Sequence, residues 1–407
     1  MTVQTSLTVG AGGDANSNFV LQEALSAYSD EAYTNARKLS GTGIVGSNPE
    51  IDTSTETYIG QVRWYKPLNP TVNVASLTDS TDGVKTSYSQ DYLNYIKTVR
   101  THGAMKVNLS QVITQEDGLM KIGKDFGETQ SQDEHDAILA VCRGVMISEL
   151  LNGAASGQGV AGLGGQTFDN EPTDKRYGFY VDLGAVKPVV DSTTTIQGAA
   201  RAEGFLDAMG MAWKDYEPDY AYLVVSPSTM ASLRSANLVD QTTVTEGNVV
   251  FSTIFNGKFR IIQTRASQGL LSSEFTMMNS GPGLDLAGAA ANTRTSFIIL
   301  PGSIAMQALT VPMPTEIDRA ASAYKGGGTT SIWYRWGYVL APAGYNWDGP
   351  QTAFPTNDDY QSVMESSAIT PLASATSGLV TGGYVKGVWE RKTASALSLG
   401  ILPVFHN

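Results

Sequence analysis

Residues 131–152 read SQDEHDAILAVCRGVMISELLN, and this stretch decides how the rest of the chain is arranged. Ile138, Val141, Cys142, Val145, Met146 and Leu150 recur at three- and four-residue spacing, which is one face of an α-helix. Gln130, Gln132, Asp133 and Glu134 supply the polar and acidic groups that a first helical turn favours, and Gly153 follows as a stop. At about 1.5 Å per residue the segment is a beam of roughly 30 Å, long enough to cross a lobe.

Upstream of the beam the period changes. From Thr55 to Asn108 short β-like runs, Tyr58–Tyr65 and Met105–Leu109, flank a polar tip at Thr78–Gln90. This reads as a long two-stranded arm. Its tip carries Asp79, Asp82, Gly83 and Lys85 with few large apolar groups, so the arm needs a partner surface. Gly41–Asp52 is a linker by composition. Before it, Phe19, Leu21, Leu25, Tyr28, Ala32, Tyr33 and Ala36 predict an amphipathic helix over 14–39, lying on another subunit or on the chain's own core.

Downstream, the glycine-rich stretch Gly153–Gly165 leads to a strand at Tyr177–Leu183 and a helix at Thr195–Lys214, weakened by Gly204 and Gly210. Ala221–Val225 is an apolar strand, and Ser226-Pro227 opens a short helix through Arg234, with Ser as cap and Pro at the first helical position. Asn256-Gly257 hinges strands at Val249–Phe255 and Lys258–Gln263. Strand-like runs follow at Phe297–Leu300 and Ile304–Leu309. An aromatic strand at Ile332–Leu340 marks a core or an interface. The polar stretch from Asp348 to about Ser377 reads as an excursion, and Ala396–Phe405 as a last strand.

Composition narrows the function. A chain of 407 residues exceeds one core and predicts two or three lobes; 42 glycines and 16% charged residues mean many loops. A formal charge of −12 without a basic run argues against a dedicated nucleic-acid binder. The single cysteine, Cys142, allows no intrachain disulfide, so a reducing compartment is expected. No signal-peptide pattern and no long apolar span occurs, so neither export nor membrane insertion is expected.

The chain offers little chemistry. His102, His135 and His406 are the only histidines and none stands at metal-ligand spacing with another. Cys142 falls on the apolar helix face, where a thiol is packing. Asp133/Asp136 and Asp358/Asp359 are ordinary surface pairs. Gly157, Gly159 and Gly162 spell G-x-G-x-x-G, but they follow a helix where a dinucleotide site needs a preceding strand, so a loop is the better reading. The Asp79/Asp82/Gly83 cluster lacks the spacing of a calcium loop. Trp333, Trp336 and Tyr338 lack the interleaved Lys and Arg of a single-strand platform. No catalytic, cofactor-binding or metal residue is assigned, and an enzyme is not expected.

Three phrases carry a resemblance: Gly60-Gln61-Val62-Arg63-Trp64-Tyr65, Tyr222-Leu223-Val224-Val225-Ser226-Pro227-Ser228-Thr229-Met230-Ala231-Ser232-Leu233-Arg234, and Ala341-Pro342-Ala343-Gly344-Tyr345-Asn346-Trp347. With the order of arm, hairpin, long helix and α/β lobe, the chain resembles the major capsid proteins of tailed bacteriophages with the Hong Kong 97 fold. The resemblance implies an α+β chain with an N-terminal arm at 1–54 and an extended loop at 55–126. It implies a peripheral domain with the spine helix at 127–190, an axial domain at 191–310, and a return to the peripheral domain with a C-terminal excursion at 311–407.

It further implies hexamers and pentamers of an icosahedral shell around double-stranded DNA, assembled in a bacterial cytoplasm and ending in the virion. The partners implied are other copies, a portal and a scaffolding protein, and a decoration protein, with packaged DNA touched only weakly and no membrane. Some family members begin with a scaffolding segment; none is read here, so a separate scaffold or a mature form is expected. An encapsulin-type nanocompartment shell is the runner-up, and a nucleotide-dependent enzyme the remote alternative.

Overall fold

The long helix outruns its apolar pattern. In the computed structural model, which describes residues 15–37, 39–65, 90–107, 118–155, 179, 181–182, 202–213, 218–240, 243–246, 249–264, 294–320, 328–361, 363–365, 384–392 and 399–406, it runs Gly118–Ala155, 38 residues. That is about 57 Å at 1.5 Å per residue. The start expected near residue 131 is therefore corrected by more than three turns. Gly123 and Gly127, which propensity alone reads as breakers, instead receive the N-terminal helix α1, Ala15–Ala36. A Cβ on Gly123 would stand 2.8 Å from Tyr28 Cβ, and one on Gly127 would stand 2.6 Å from the Tyr33 nitrogen. Glycine lets the two backbones approach that closely.

Of the two seats open to α1, it takes the chain's own core. Its end is fastened to the long helix, α2: the Tyr33 hydroxyl donates to Glu134 Oε2 at 2.7 Å, and Ser131 Oγ donates to the Ala36 carbonyl at 2.8 Å. Asp133 and Glu134 accordingly lie mid-helix and anchor neighbours instead of opening a first turn. Burial raises the Glu134 carboxyl above the ordinary range, with the Tyr33 hydrogen bond opposing it. From Ala137 to Cys142, and again from Val145 to Ile147, every side chain is buried. The expected single apolar face is a helix enclosed on all sides there, a core beam.

A first sheet lies along this beam. Its order is β1 (Val45–Gly46), β10 (Ile304–Ala308), β12 (Thr329–Pro342), β3 (Gln90–Val107) and β2 (Ile59–Tyr65), with β11 (Thr315–Ala320) beside the first half of β12. The expected arm changes character here. Residues 59–65 pair with 90–96, but the run expected at Met105–Leu109 does not oppose them: β3 continues inward and pairs antiparallel with β12, Val107 opposite Thr329 and Ile96 opposite Leu340. Tyr95, Ile96, Lys97 and Thr98 are buried, so the inner half of the supposed arm is core. The tip residues Asp79, Asp82, Gly83 and Lys85 lie outside the described residues.

A second sheet has the order β4 (Val181–Asp182), β17 (Ile401–His406), β9 (Arg294–Ile299), β5 (Ala221–Val225), β8 (Phe259–Gln263), β7 (Val249–Ile254) and β6 (Thr243–Glu246). Central β5 is buried at every position, as an apolar run without alternation requires. Helix α3 (Ala202–Trp213) covers part of the predicted helix at 195–214, whose remaining residues lie outside those described. Helix α4 (Pro227–Ser235) starts where Ser226 caps it, accepting from the Thr229 N–H at 3.1 Å. At the β7–β8 turn Asn256 and Gly257 both take positive φ, 57° and 92°, and Phe255 joins them at 55°. The chain crosses between sheets from β9 to β10, and β17 lies beside β9; in the first sheet β10 and β12 lie between β1 and β3, so the N- and C-terminal thirds interleave there.

The polar stretch after Asp348 packs where an excursion was expected. β13 (Tyr345–Trp347) pairs with β16 (Trp389–Arg391), and β14 (Val363–Glu365) with β15 (Tyr384–Lys386). Tyr360, fully buried, stacks on Trp389 at 6.4 Å and meets the edge of Trp347 at 5.8 Å. This aromatic block sits on α2 at Gly144, where an added Cβ would lie 2.8 Å from Trp389 Nε1. Residues 366–383 lie outside those described.

Candidate functional site

The residues that could carry chemistry are dispersed or already engaged. His102 lies on β3, edge-on to Phe126 at 5.2 Å and 3.8 Å from Asp125 Oδ2. His135 is on α2 and His406 on β17, so the three histidines do not converge. Among the described residues no group of three or more His, Cys, Asp or Glu could hold a metal. Cys142 is buried on α2, and burial pushes its thiol up to about 12. Asp359 caps its own turn, accepting from Thr356 N–H and hydroxyl, both at 2.8 Å. Gly157, Gly159 and Gly162 lie outside the described residues.

Asp133 is a hub. Its carboxylate accepts from Trp336 Nε1 at 3.2 Å, Tyr338 hydroxyl at 2.9 Å and Asn357 Nδ2 at 3.3 Å, with Arg100 Nε 3.4 Å away. Arg100 in turn donates to the Pro355 carbonyl at 2.6 Å and to Asn357 Oδ1 at 2.9 Å. One helix, two strands and the C-terminal segment are thereby tied at a single carboxylate. The alternation of β12 divides its aromatics: Tyr334, Trp336 and Tyr338 point to α2 and are buried, while Trp333 points away and is 43% exposed.

That second face of the first sheet is covered along only half its length. Ile51, Val62, Tyr95, Leu309 and Val339 form a small separate core there. Beyond it the face is open: Met105 is 69% exposed, and Trp333 lies across Gly103 with its outer side uncovered. Clustered exposure of large apolar groups marks a contact surface, whereas isolated cases mean nothing.

At the other end β12 stops pairing at Ile96, and β2 and β3 continue as a two-stranded ribbon. Asn94 N–H donates to Asn346 Oδ1 at 2.7 Å, and Tyr92, farther out, is 53% exposed. The root is well held. The Tyr95 hydroxyl accepts from the Asp52 N–H at 2.8 Å, and the fully buried Lys97 ammonium reaches Asp52 Oδ2 and the Ser54 carbonyl, both at 2.7 Å. The Lys97 hydrogen bond, then those from Ser54, hold the Asp52 carboxyl down at about 2. Neither Lys97 nor the hub at Asp133 was legible in the sequence, because Lys97 depends on Asp52 and the hub on Tyr338, both distant along the chain.

A fully buried pair braces the far end of α2. Arg391 Nη1 lies 3.2 Å from Glu149 Oε2, which also accepts from the Phe179 N–H at 2.7 Å. Burial raises the Glu149 carboxyl, and the Arg391 charge opposes that rise. Removing one member of such a pair strands the other charge, so the pair fixes β16 to the helix.

No protein-family model matches the sequence, and no curated protein matches it. Among solved structures, the chain is similar mostly to phage capsids. The acid-stable capsid of Helicobacter pylori bacteriophage KHP30 is similar over 91% of each chain, with 8% identity and a TM-score of 0.44. The capsid of Ralstonia phage GP4 is similar over 77% of this chain and 86% of that one, with 11% identity and a TM-score of 0.42. An encapsulin complex of Synechococcus elongatus is similar over 71% and 80%, with 11% identity and a TM-score of 0.33.

Proposed function

We propose that the chain is a shell subunit, the major capsid protein of a tailed bacteriophage, closing as hexamers and pentamers around double-stranded DNA. The observation that carries this reading is the ribbon of residues 59–65 and 90–96, rooted in the core at Tyr95 and Lys97 yet left two-stranded and exposed beyond it. A two-stranded ribbon is marginal alone in water, so it gains burial and backbone partners from a neighbouring copy. The half-open sheet face at Met105 and Trp333 supplies a second contact surface at the opposite end of β3. Surfaces at opposite ends of one strand are heterologous, and repeated head-to-tail they generate rings.

In this reading the first sheet with α1 and α2 is the peripheral part and the second sheet with α3 and α4 the axial part. With Cys142 and Glu149 buried and Asp133 engaged by its partners, these groups are left to structure, and function resides in geometry. Copies of the chain are the principal partner; a portal, a scaffolding protein and a decoration protein belong to the same proposal. Negative-stain microscopy of the purified full chain tests it: closed particles, rings or sheets are expected. A monodisperse monomer at high concentration would refute it, and so would normal particles from a variant lacking residues 71–90.

A further inference from the structure

The passage from one sheet to the other is unusually well fastened. Residues 300–303 carry the chain from β9 to β10, and three separate stretches converge on them. Leu300 N–H donates to the Gly400 carbonyl at 2.8 Å, Gly302 N–H to the Gly43 carbonyl at 2.7 Å, and Ala343 N–H to the Ser303 carbonyl at 2.8 Å. Ser303 is 4% exposed, and its hydroxyl reaches the Gly400 carbonyl at 3.0 Å as well as the carbonyl of Leu300. Gly302 turns there with φ 69°, a conformation that a side chain resists.

A second fastening lies beside it. Glu246, on the edge strand of the second sheet, accepts from Gly43 N–H at 2.8 Å with one oxygen. Its other oxygen takes the Tyr222 hydroxyl at 2.6 Å and Arg260 Nη1 at 2.7 Å. Arg260 is held in turn over the Tyr220 ring at 3.8 Å. Gly43 is followed directly by Ile44, whose carbonyl accepts from Ile304 N–H at 3.3 Å, and by β1, which pairs in parallel with β10. The edge of one sheet is thus bound through a single carboxylate to the strand that begins the other.

We infer that this junction is a fixed joint that sets the angle between the two sheets, and through it the curvature of the shell, with Ser303 and Glu246 as its positioning residues. The inference rests on the shell reading. In a ring of heterologous contacts the rotation per subunit decides whether and at what size the assembly closes, so a small change of angle inside each copy is multiplied around the shell. Hinges are a few element-terminal residues that absorb the angular change, and this junction occupies such a position with the Leu300, Gly302, Ser303 and Ile304 N–H groups all engaged.

Ser303→Ala and Glu246→Gln, each in the full chain, are compared with wild type and with Leu233→Val, a core truncation on α4 beyond the opposite end of β5. Particle diameters are measured by electron microscopy, and thermal midpoints are recorded for all four. The expected result is a diameter distribution at least twice as wide for both junction variants, or open sheets and tubes, with wild-type width for Leu233→Val at a comparable loss of midpoint. Junction variants with wild-type width would overturn the joint while leaving the shell reading intact; wild-type protein that forms no particles would overturn both. If Ser303→Ala does not fold, Glu246→Gln decides alone. Hydrogen exchange of wild-type particles gives an independent reading, with Leu300, Gly302 and Ile304 expected to exchange as slowly as β5. Exchange as fast as in the 255–258 turn sinks the inference.

Discussion

Replacing Gly144 by alanine should destabilise the chain, against the ordinary rule for helices. In a helix interior Gly→Ala stabilises by about 0.5–1 kcal/mol, because glycine loses more backbone freedom on folding. Gly144, however, lies under the aromatic block: its Cβ would meet the Tyr360 carbonyl and stand 2.8 Å from Trp389 Nε1. Those two atoms are hydrogen-bonded to each other at 3.0 Å. Forcing them apart combines overpacking, about 1–3 kcal/mol, with a buried bond left unmade, about 1–3 kcal/mol. Less the helix gain of about 0.5–1 kcal/mol, the net loss is about 1–5.5 kcal/mol.

Gly210 in α3 is the control, since nothing lies within 4 Å of its Cβ position. There the same substitution should stabilise by about 0.5–1 kcal/mol. With an unfolding entropy of about 2.1 cal/mol/K per residue, the 407-residue chain has about 0.85 kcal/mol/K in total. The expected shifts are therefore a fall of about 1–6 °C for Gly144→Ala and a rise of about 1 °C for Gly210→Ala. Scanning fluorimetry at one protein concentration measures both, because assembly makes the midpoint concentration-dependent. A midpoint for Gly144→Ala at or above wild type would show that the C-terminal segment does not sit on α2 as described.

Three further outcomes are expected. The Cys142 thiol, buried and pushed up to about 12, should stay unlabelled by maleimide in native protein and react stoichiometrically after unfolding; labelling of the native fold would contradict its place on α2. Asp52, held down at about 2 by Lys97 and Ser54, contributes stability that is full above the usual aspartate range and is lost as pH falls from about 4 toward 2. Asp52→Asn should therefore flatten that limb of the midpoint-against-pH curve, and an unchanged limb would refute the clasp. Trp333→Ser should cost the subunit only about 1–2 kcal/mol, since the indole is half exposed, yet reduce particle yield by sedimentation several-fold; undiminished assembly would remove that face from the interface.

What was legible in the sequence was local. The Ser226-Pro227 helix start and the Asn256-Gly257 turn are specified by neighbouring atoms, a cap oxygen and a positive-φ preference, and both formed as read. The first three turns of α2 were not, because Gly123 and Gly127 serve the approach of α1 and look like breakers without it. Strand β3 hid for a related reason. Lys97 and Thr98 are polar by type, but a buried ammonium clasped by Asp52 and a buried hydroxyl bonded to Tyr360 make them core. The polar stretch containing Tyr360 misled in the same way, since its burial depends on Trp347 and Trp389 from two other segments. The candidate surfaces were partly legible: the exposed ribbon fell within the predicted arm, while the open face at Trp333 needed the alternation of β12 fixed against α2.

The pairing of β3 with β12 has a consequence for how the chain is made. Val107 meets Thr329 and Ile96 meets Leu340, partners separated by 222 to 244 residues (329 − 107 and 340 − 96). At about 5–20 residues per second a ribosome needs roughly 10–50 s to deliver the second strand after the first has emerged. Throughout that interval the longest of the described strands waits with one edge unsatisfied, and such long-range pairing is intrinsically slow. Newly made chains should consequently engage chaperones early, at β3, and be released only once synthesis has passed Pro342.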